Sequence, residues 1–139
     1  MKQFLKTIEK STNGQKLIEI TNEVVNFVQS SNIKNGFIHL SILHTSASLL
    51  VQENADPNVL KDLMSFFEKI VPMDFRLYKH KSEGRDDMPA HIKTALTQTH
   101  LTLSINDSSL VLGTWQGVYL FEHRLHPHSR KILIHIIGE

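Results

Sequence analysis

The last third of the chain restricts the fold more than any other feature. Its apolar residues come in short runs, at 101–105, 110–112, 118–121 and 131–137, which alternate with polar residues or are rich in isoleucine and valine. Runs of this length and composition predict β-strands. The links between them are too short for the crossover that joins parallel strands, so the strands are expected to pair antiparallel. A largely antiparallel sheet is therefore the frame of the predicted fold.

Strand patterns also occur in the first half of the chain. Residues 2–10 and 17–20 predict two strands that Asn13-Gly14 joins as a hairpin. Two further strands are predicted at 37–43 and 48–51, with a short polar corner between them. These strands would add to the sheet that the last third of the chain predicts.

Three helices are predicted between the strands. Thr21 can cap the first helix, and Asp56 before Pro57 favours the start of the second. The third begins at Pro89 and runs to about Thr99. The side chains expected to face the core are Val24, Val25 and Val28 in the first helix, Leu60, Leu63, Met64, Phe67, Ile70 and Val71 in the second, and Ile92, Ala95, Leu96 and Thr99 in the third. The predicted fold class is α+β, a mainly antiparallel sheet packed with about three helices.

Length and composition narrow the possible functions. A chain of 139 residues suits one domain, 1–139, and its 40% hydrophobic content can form a core. A formal charge of +1 provides no field that would attract nucleic acid or a membrane surface. There is no cysteine, so any metal ion must be bound by nitrogen and oxygen ligands. The first ten residues lack the apolar run of a signal peptide, which favours a cytoplasmic location.

The first of three polar clusters follows a predicted strand. It runs from His44 through Ser46 to Ser48, and Glu53 and Asn54 follow shortly after. A histidine at a strand end with hydroxyl groups beside it can serve as a base, a metal ligand or a phosphate contact. Serine, threonine, asparagine and aspartate also form turns and caps, and that explanation fits this cluster equally well.

The second cluster occupies the segment 80–91, within a stretch where no hydrophobic period persists. It contains three carboxylates and two histidines where a loop meets a helix N-terminus, namely His80, Glu83, Asp86, Asp87 and His91. Such a set can bind a divalent cation, or an anion on backbone N–H groups. A solvated loop with a capped helix would explain the two aspartates but not His91, which lies one turn inside the helix.

The third cluster combines a Gly-Thr-Trp-Gln-Gly segment with a Glu-His-Arg segment. Trp115 and Gln116 lie between two glycines, and the ring of Trp115 could stack on a flat substrate. His123 and Arg124 follow an apolar strand and could supply a ligand or base and an anion clamp. A buried tryptophan and a surface ion pair would account for the same residues.

Taken together, the motifs closely resemble the YjbQ-like family, whose members are often described as secondary thiamine-phosphate synthases. The matching segments are His44-Thr-Ser-Ala-Ser48, Glu53-Asn54-x-Asp56-Pro57, Glu83-Gly84-x-Asp86-Asp87-Met88-Pro89-x-His91, Gly113-Thr-Trp-Gln-Gly117 and Glu122-His123-Arg124. The resemblance implies a compact α+β fold, assembly as a homotrimer, and a polar site near subunit boundaries. It also implies a weak joining of a pyrimidine diphosphate to a thiazole phosphate.

Three functions are compatible with these residues. In the first, a transferase binds a phosphorylated small molecule through Ser46, Asn54, Trp115, Gln116 and Arg124. A divalent ion on Glu83 and Asp86 or Asp87 assists it, and His44 or His91 transfers protons. In the second, a hydrolase binds zinc or a similar ion through His44, His91 and His123, while Glu53 or Asp87 activates water. In the third, the same pocket of a trimer binds a small anion without catalysis.

The sequence departs from the family pattern at three places. Ser108 stands where a glycine is usual before the Gly-Thr-Trp-Gln motif, and this is expected to affect a turn. Arg85 replaces a small residue next to the second cluster, and Pro127-His128 replaces small residues before Ser129. The latter two add bulk or charge near the expected site and bear on substrate identity more than on the fold.

Overall fold

Two antiparallel sheets face each other in the computed structural model, which describes residues 1–139. The strands are β1 (Lys2–Thr12), β2 (Lys16–Glu19), β3 (Gly36–Ile42), β4 (Ala47–Glu53), β5 (His100–Asn106), β6 (Ser109–Leu110), β7 (Gln116–Glu122) and β8 (His128–Gly138). The helices are α1 (Thr21–Ser31), α2 (Pro57–Ile70) and α3 (Asp87–Leu96), with a 3-10 turn at Phe75–Leu77. The α+β class, the three helices and the antiparallel pairing are confirmed, and no helix is long and apolar enough to cross a membrane.

The larger sheet has the order β1-β8-β3-β5-β6 and the smaller the order β2-β7-β4. Alternate residues of β8, namely Ile132, Ile134 and Ile136, are fully buried, and so are Val118 and Leu120 of β7. All five belong to one core cluster, which also takes in two valines of α1. The core therefore lies between the inner faces of the two sheets, and period-two alternation selects the residues that enter it.

The end of β3 approaches the end of β8 without space for a side chain. A Cβ built at Gly36 would collide with the carbonyl group of Ile137 and lie 2.7 Å from the Cα of Gly138. The two glycines let the backbones meet where the sheet closes over the loop before β3. The N–H groups of Lys34 and Asn35 donate hydrogen bonds of 2.7 and 3.0 Å to the carbonyl oxygen of Glu139, and these bonds hold the junction together.

The second helix begins as predicted and the first does not. The carboxylate of Asp56 accepts a hydrogen bond of 2.9 Å from the N–H of Asn58, with Pro57 in the first turn. Ile20, which offers no side-chain cap, precedes α1. The hydroxyl of Thr21 instead donates to Glu19 at 2.7 Å and accepts the N–H of Val118. Its polar group is therefore used to join the helix to the smaller sheet.

The predicted hairpin at Asn13-Gly14 is wrong. The chain does turn there, and Gly14 has a φ of 86°. However, β1 pairs with β8 along its whole length, while β2 pairs with β7 in the other sheet. A turn sequence fixes a local change of direction, but the long partner strand β8 provides far more backbone hydrogen bonds than β2.

The inward face of α3 is also different from the prediction. Leu96 is 57% exposed and Ala95 is exposed, whereas Lys93 and Thr94 are buried at 3% and 5% exposure. The helix ends at Leu96 because the next segment pairs with β4, where the N–H of Leu49 donates to the carbonyl of Gln98 at 2.7 Å. A polar face of α3 thus packs against the rest of the chain, whereas the predicted apolar side chains Ala95 and Leu96 are exposed.

Ser108 lies in the turn that joins β5 to β6. Asp107 and Ser108 have φ values of 48° and 61°, so both occupy the left-handed region. The N–H of Ser108 donates to the carbonyl of Lys34 at 2.9 Å, which anchors this conformation. A turn with two positive φ values favours glycine at its second position.

Ser108→Gly is therefore expected to stabilise the protein. Removal of the side chain from a left-handed position lowers the free energy of the folded state by about 1–2 kcal/mol. The greater entropy of glycine in the unfolded chain offsets about 0.5–1 kcal/mol of this gain. The net gain should raise Tm by about 2–4 °C in thermal unfolding monitored by circular dichroism. Ser109→Gly, at an extended position of the same hairpin, is the control and should lower Tm. A lower Tm for Ser108→Gly would show that the turn is not strained.

Candidate functional site

Four potential metal ligands meet where the loop before α3 joins the helix. They are His80, Glu83, Asp87 and His91, and one ligand atom from each lies within 4.8 Å of the others. Oδ2 of Asp87 is 2.7 Å from Nε2 of His80 and 3.1 Å from Nε2 of His91. Oε2 of Glu83 is 3.4 Å from Nε2 of His80. Asp87 and His91 are four residues apart in α3, and this spacing puts both side chains on one side of the helix.

Arg124 fixes the carboxylates at the start of α3. Its Nε donates to Oδ2 of Asp86 at 2.9 Å, and its Nη1 donates to Oδ1 of Asp87 at 2.6 Å. Its Nη2 donates to the carbonyl of Glu83 at 2.9 Å. Burial alone would raise the pKa of Asp86, but hydrogen bonds from the N–H of Leu125 and from Arg124 outweigh it and lower that pKa. Both aspartates are thus held ionised and immobile.

The imidazole of His91 is oriented by a backbone carbonyl group. Its Nδ1 lies 2.8 Å from the carbonyl oxygen of Thr45, which can only accept a hydrogen bond, so Nδ1 carries a proton. In the neutral ring Nε2 then has a lone pair, and this lone pair faces Oδ2 of Asp87 at 3.1 Å. Two acceptor atoms at this distance need a proton or a cation between them. Such a carbonyl contact to the far nitrogen is the usual outer-shell support of a metal-binding histidine.

The cluster is open to solvent on one side. The side chains of His80 and Glu83 are 43% and 63% exposed, whereas that of Asp87 is 2% exposed. The hydrogen bond with Asp87 raises the pKa of His80 and favours its charged form. The buried aspartate therefore forms the floor of the cluster, and His80 and Glu83 form a rim that a substrate can reach.

The hypothesis of three converging histidines is not supported by the chain. His44, His91 and His123 do not form a group of neighbouring ligand atoms, and the group that forms uses His80 instead of His44 and His123. Nε2 of His44 accepts a hydrogen bond of 2.8 Å from the N–H of Lys131. Burial, followed by the charges of Arg130, His128 and Lys131, lowers the pKa of His44. His44 lies at the corner between β3 and β4 and thus joins this corner to β8.

Two other predicted roles change for a geometric reason. Each of the three nitrogens of Arg124 already donates to a protein acceptor, so this side chain positions Asp86 and Asp87. Asp86 points to Arg124 and to the N–H of Leu125 at 2.9 Å, and it is not among the clustered ligands. Of the predicted metal set, Glu83 and His91 are in the cluster, together with the predicted catalytic residue Asp87.

Ser46 belongs to a buried ion pair between the two sheets. Arg130 of β8 donates to both carboxylate oxygens of Glu122 of β7, at 2.6 and 2.9 Å. Its Nη2 also donates to the hydroxyl and to the carbonyl oxygen of Ser46, at 3.0 and 3.1 Å. Because Glu122 is 0% exposed and Arg130 is 3% exposed, loss of either partner would leave a buried charge unpaired. The hydroxyl of Ser46 accepts a hydrogen bond within this buried network.

The remaining predicted residues lie at the opposite end of the smaller sheet. Glu53 pairs with Gln116 at one end of β4. The other end of this strand, near the cluster, is six residues and therefore about 20 Å away. Asn54 donates to Glu19 at 3.1 Å, and Gln116 accepts the N–H of Gly113 at 2.7 Å. Trp115 is 61% exposed and not buried. Within one chain these residues are therefore separate from the four-ligand cluster.

A second polar group lies under α3, and the sequence interpretation did not identify it. Nε2 of His123 is 2.9 Å from the hydroxyl of Ser48, which is 2.6 Å from the hydroxyl of Thr97. Nδ1 of His123 and the hydroxyl of Thr94 are buried without a hydrogen-bond partner. Burial, followed by the charges of Lys93 and Arg130, lowers the pKa of His123 to about 3. The ring is therefore neutral over the physiological range.

His80 is part of the polar segment that the sequence indicates, but the sequence interpretation did not assign it as a ligand. It precedes Glu83 by three residues in a segment with no hydrophobic period, a spacing that brings ligands together in a turn. Ala90, Lys93 and Thr97 have helical spacing around one face of α3, so burial of Ala90 implies burial of the lysine. Arg85 and His128, which differ from the usual family pattern, are not members of the cluster. Arg85 is exposed, and Nδ1 of His128 lies 2.7 Å from the carbonyl oxygen of His126.

Comparison with known proteins gives consistent matches over nearly the whole chain. Residues 6–139 match the family described as UPF0047 protein YjbQ-like. A UPF0047 protein of Synechocystis is 50% identical over 93% of this chain and 88% of its own length. The UPF0047 protein YjbQ of Escherichia coli O157:H7 is 40% identical over 98% of this chain and 99% of its own length.

Solved structures show the same fold. An uncharacterized conserved YjbQ/UPF0047 family protein from Clostridium acetobutylicum is 34% identical and has a TM-score of 0.83, covering 96% of this chain and 99% of that one. A YbjQ-like protein of unknown function from Sulfolobus solfataricus, 22% identical, has a TM-score of 0.86 and covers 99% of this chain and 100% of that one. The second similarity bears on the fold alone.

The buried His123 predicts a pH dependence of stability. Its pKa is about 3 in the folded chain and 6.5 in the ordinary case, so below pH 6.5 only the unfolded chain takes up this proton. The free energy of unfolding should therefore fall by about 1.4 kcal/mol for each pH unit from about pH 6 to pH 4. Urea unfolding of the wild type and of His123→Gln measures this contribution as the difference between their slopes.

The control for this measurement is Thr97→Val. It removes a hydroxyl group from the same buried chain but retains the imidazole. It should change the free energy of unfolding at every pH by a similar amount and leave the slope as in the wild type. Equal slopes for the wild type and His123→Gln would contradict the buried, neutral state of His123.

Proposed function

The chain belongs to the YjbQ-like UPF0047 family, and from the geometry of the four-ligand cluster we propose that it binds a divalent transition-metal ion and uses it to act on a phosphorylated small molecule. The observation that carries this proposal is the contact between Nε2 of His91 and Oδ2 of Asp87. In the neutral ring whose Nδ1–H donates to Thr45, both atoms are acceptors, and they lie 3.1 Å apart. A cation bound between them would remove the repulsion.

The ligand types favour zinc and similar ions over magnesium. Two imidazole nitrogens and two carboxylates suit zinc, manganese, iron or cobalt, whereas magnesium prefers oxygen ligands and retains its water molecules. A tetrahedral zinc site with bonds of about 2.0–2.1 Å separates its ligand atoms by about 3.3 Å. The contacts of His80 with Asp87 and Glu83 are 2.7 and 3.4 Å, and all four ligand atoms lie within 4.8 Å of one another, so the more distant ones would have to move closer around the ion.

The chain supports such an ion with residues outside the ligand set. Arg124 holds Oδ1 of Asp87 and leaves Oδ2 directed at the two imidazoles. The carbonyl of Thr45 keeps Nε2 of His91 available as a ligand. When bound, the ion would polarise a phosphoryl oxygen or lower the pKa of a water molecule. Glu83 is the most exposed member at 63%, so its carboxylate is the group placed to accept a proton from a substrate or water.

A transferase of the thiamine-phosphate synthase type is the first form of this proposal, and it derives from the family resemblance. In that reaction a thiazole nitrogen forms a bond to the methylene carbon of a pyrimidine diphosphate. The carbon–oxygen bond breaks, and pyrophosphate leaves with the electron pair. The cluster would bind the oxygens of the leaving pyrophosphate, since a divalent ion is the usual neutralising group for such charge. The rim of His80 and Glu83 is where the diphosphate would approach.

A metal-dependent phosphate-ester hydrolase is the second form, and the ligand set favours it. Two histidines with carboxylates are typical of ions that generate a hydroxide from bound water. His80, Glu83, Asp87 and His91 would hold the ion, which would activate the water. A P–O bond to the oxygen of this water would replace the P–O bond to the ester alcohol, and the proton that the water gives up would pass to that alcohol. A trimer that binds a small anion without turnover is the outcome expected if both reactions fail while the metal and anion still bind.

Loss of His91 is predicted to abolish tight metal binding. The wild-type chain should bind about one equivalent of Zn²⁺ or Co²⁺, and His91→Ala and His80→Ala should bind at least about 10–100-fold more weakly, the effect that even outer-shell residues produce. Competition titrations and the absorption spectrum of bound Co²⁺ measure this. His44→Ala is the matched control, because His44 bonds Lys131 outside the cluster, and it should bind metal as the wild type does. Equal metal affinity in all four proteins would disprove the site.

Turnover distinguishes the two reactions. The zinc, manganese and magnesium forms are incubated with the pyrimidine diphosphate and thiazole phosphate, and separately with a chromogenic phosphate monoester. A metal-dependent product that His91→Ala loses and His44→Ala retains supports the reaction in which it occurs. Absence of metal-dependent product from both substrate sets would reject catalysis of these classes and leave metal binding alone.

We also propose that the chain assembles as a homotrimer, as the family resemblance implies. None of the residues of α2 is buried, and Phe66 and Ile70 on this helix are 55% and 49% exposed, followed by Phe75 and Leu77 at 44% and 61%. An apolar patch of this kind is typical of an interface between subunits. Light scattering should give about 48 kDa, three times the 15.9 kDa of one chain. Phe66→Asp should lower the mass, and Lys61→Asp on the same helix is the control; a wild-type mass of one chain would contradict the proposal.

A further inference from the structure

Two Asn-Gly pairs occur in the chain, Asn13-Gly14 and Asn35-Gly36. An asparagine followed by glycine is open to a covalent reaction with its own backbone, in which the glycine nitrogen attacks the carbon of the side-chain amide. Glycine has no side chain to hinder this approach. The reaction also requires that the backbone of the pair can rotate and that no hydrogen bond holds the attacking N–H group. The two pairs differ in both respects.

The peptide unit between Asn13 and Gly14 is not held by hydrogen bonds within the chain. It lies in the turn between β1 and β2, and the side chain of Asn13 is exposed. The carbonyl oxygen of Asn13 and the N–H of Gly14 each lack a hydrogen-bond partner in the chain. Gly14 has a φ of 86°, and a Cβ built on it would lie 3.7 Å from the nearest atom beyond its chain neighbours, the carbonyl oxygen of Leu125. This pair therefore has both the space and the freedom of rotation that the reaction needs.

The pair Asn35-Gly36 is fixed in place. The N–H of Asn35 donates to the carbonyl oxygen of Glu139 at 3.0 Å, and the carbonyl oxygen of Asn35 accepts the N–H of Glu139 at 3.0 Å. The side-chain oxygen of Asn35 accepts the N–H of Asp107 at 3.4 Å. A Cβ built on Gly36 would collide with the carbonyl oxygen of Ile137, so the backbone has no room to rotate. Reaction at this pair would require the junction between β3 and β8 to open.

We propose that Asn13-Gly14 is a site of spontaneous deamidation in the folded protein and that Asn35-Gly36 is not. The nitrogen of Gly14 forms a bond to Cγ of Asn13, the bond from Cγ to Nδ2 breaks, and ammonia leaves with the proton that Gly14 loses. The product is a cyclic imide that joins the two residues in a five-membered ring. Water then adds to one of the two imide carbonyls. The ring opens to an aspartate or to an isoaspartate, in which the main chain runs through the former side chain.

The turn that would be modified lies against the segment that carries Arg124. Nε2 of Gln15 donates to the carbonyl oxygen of His123 at 3.0 Å and so joins the turn to the end of β7. The next two residues, Arg124 and Leu125, donate to the carboxylate of Asp86. An isoaspartate in this turn lengthens the main chain by a methylene group and adds a negative charge. It should therefore weaken the bond of Gln15 and lower the stability of the chain.

Peptide mapping by mass spectrometry tests the assignment on the folded wild type, which is kept in mildly alkaline buffer to favour loss of the attacking N–H proton. Asn13 should convert at least about tenfold faster than Asn35, the ratio that an opening free energy of about 1.4 kcal/mol at the second pair would give. In guanidinium chloride both should convert at comparable rates, because the unfolded chain protects neither. Absence of conversion at Asn13, equal rates in the folded protein, or a preference that persists in guanidinium chloride would overturn the proposal.

Asn13→Gln removes the reaction, because the longer side chain would have to close a larger ring, and Asn35→Gln is the matched control. After the same incubation the wild type and Asn35→Gln should each lose about 2–4 °C in Tm relative to fresh protein, as expected for about one lost hydrogen bond, whereas Asn13→Gln should keep its Tm. Fresh Asn13→Asp, which has the charge without the longer main chain, should lose less. A converted wild type that keeps its Tm would refute the effect on the bond of Gln15.

Discussion

Two carboxylates buried side by side at the start of α3 determine how this helix packs. Asp86 and Asp87 are 3% and 2% exposed, and the fork of Arg124 with the N–H of Leu125 compensates their charges. A buried carboxylate without these donors would cost several kcal/mol, so the helix cannot rotate away from Arg124 once the strand before it is in place. The orientation of α3, and with it of His91 and Lys93, follows from this one set of contacts.

This orientation explains why polar side chains of α3 face the protein and apolar ones face outward. With Asp87 fixed, helical spacing directs Ala90, Lys93 and Thr94 to the sheet and leaves Leu96 57% exposed. The core between the sheets does not need α3, because it is closed by the strands and α1. The helix is therefore available for chemistry, and it places the potential metal ligands Asp87 and His91 on one edge.

The sequence was sufficient for the parts of the fold that follow a local rule. Short apolar runs predicted β7 and β8, and Asp56-Pro57 predicted the start of α2, since these signals arise within a few residues. The pairing of β1 with β8 rather than with β2 depends on a strand more than a hundred residues away, which no local turn can specify. The face of α3 depends on Arg124, and its apolar stripe indicated the opposite side.

The site shows the same division between local and distant information. Asp87, His91 and Glu83 were predicted from a polar segment of twelve residues, and they do lie together with His80. His44 and His123 were predicted from their neighbours in sequence, but their ring nitrogens contact Lys131 and Ser48 instead. Lys93 carried no signal as long as α3 was expected to bury its apolar stripe. Its burial follows from the position of Asp87, which fixes the orientation of the helix.

The buried polar atoms that lack a hydrogen-bond partner lie in one part of the chain. Elsewhere the buried polar side chains are paired, as Arg130 is with Glu122. The two buried side-chain atoms without a partner, the hydroxyl oxygen of Thr94 and Nδ1 of His123, lie on α3 and at the end of β7. Violations of local rules that gather at one place are expected at a functional site, because a ligand can supply what the fold leaves unsatisfied.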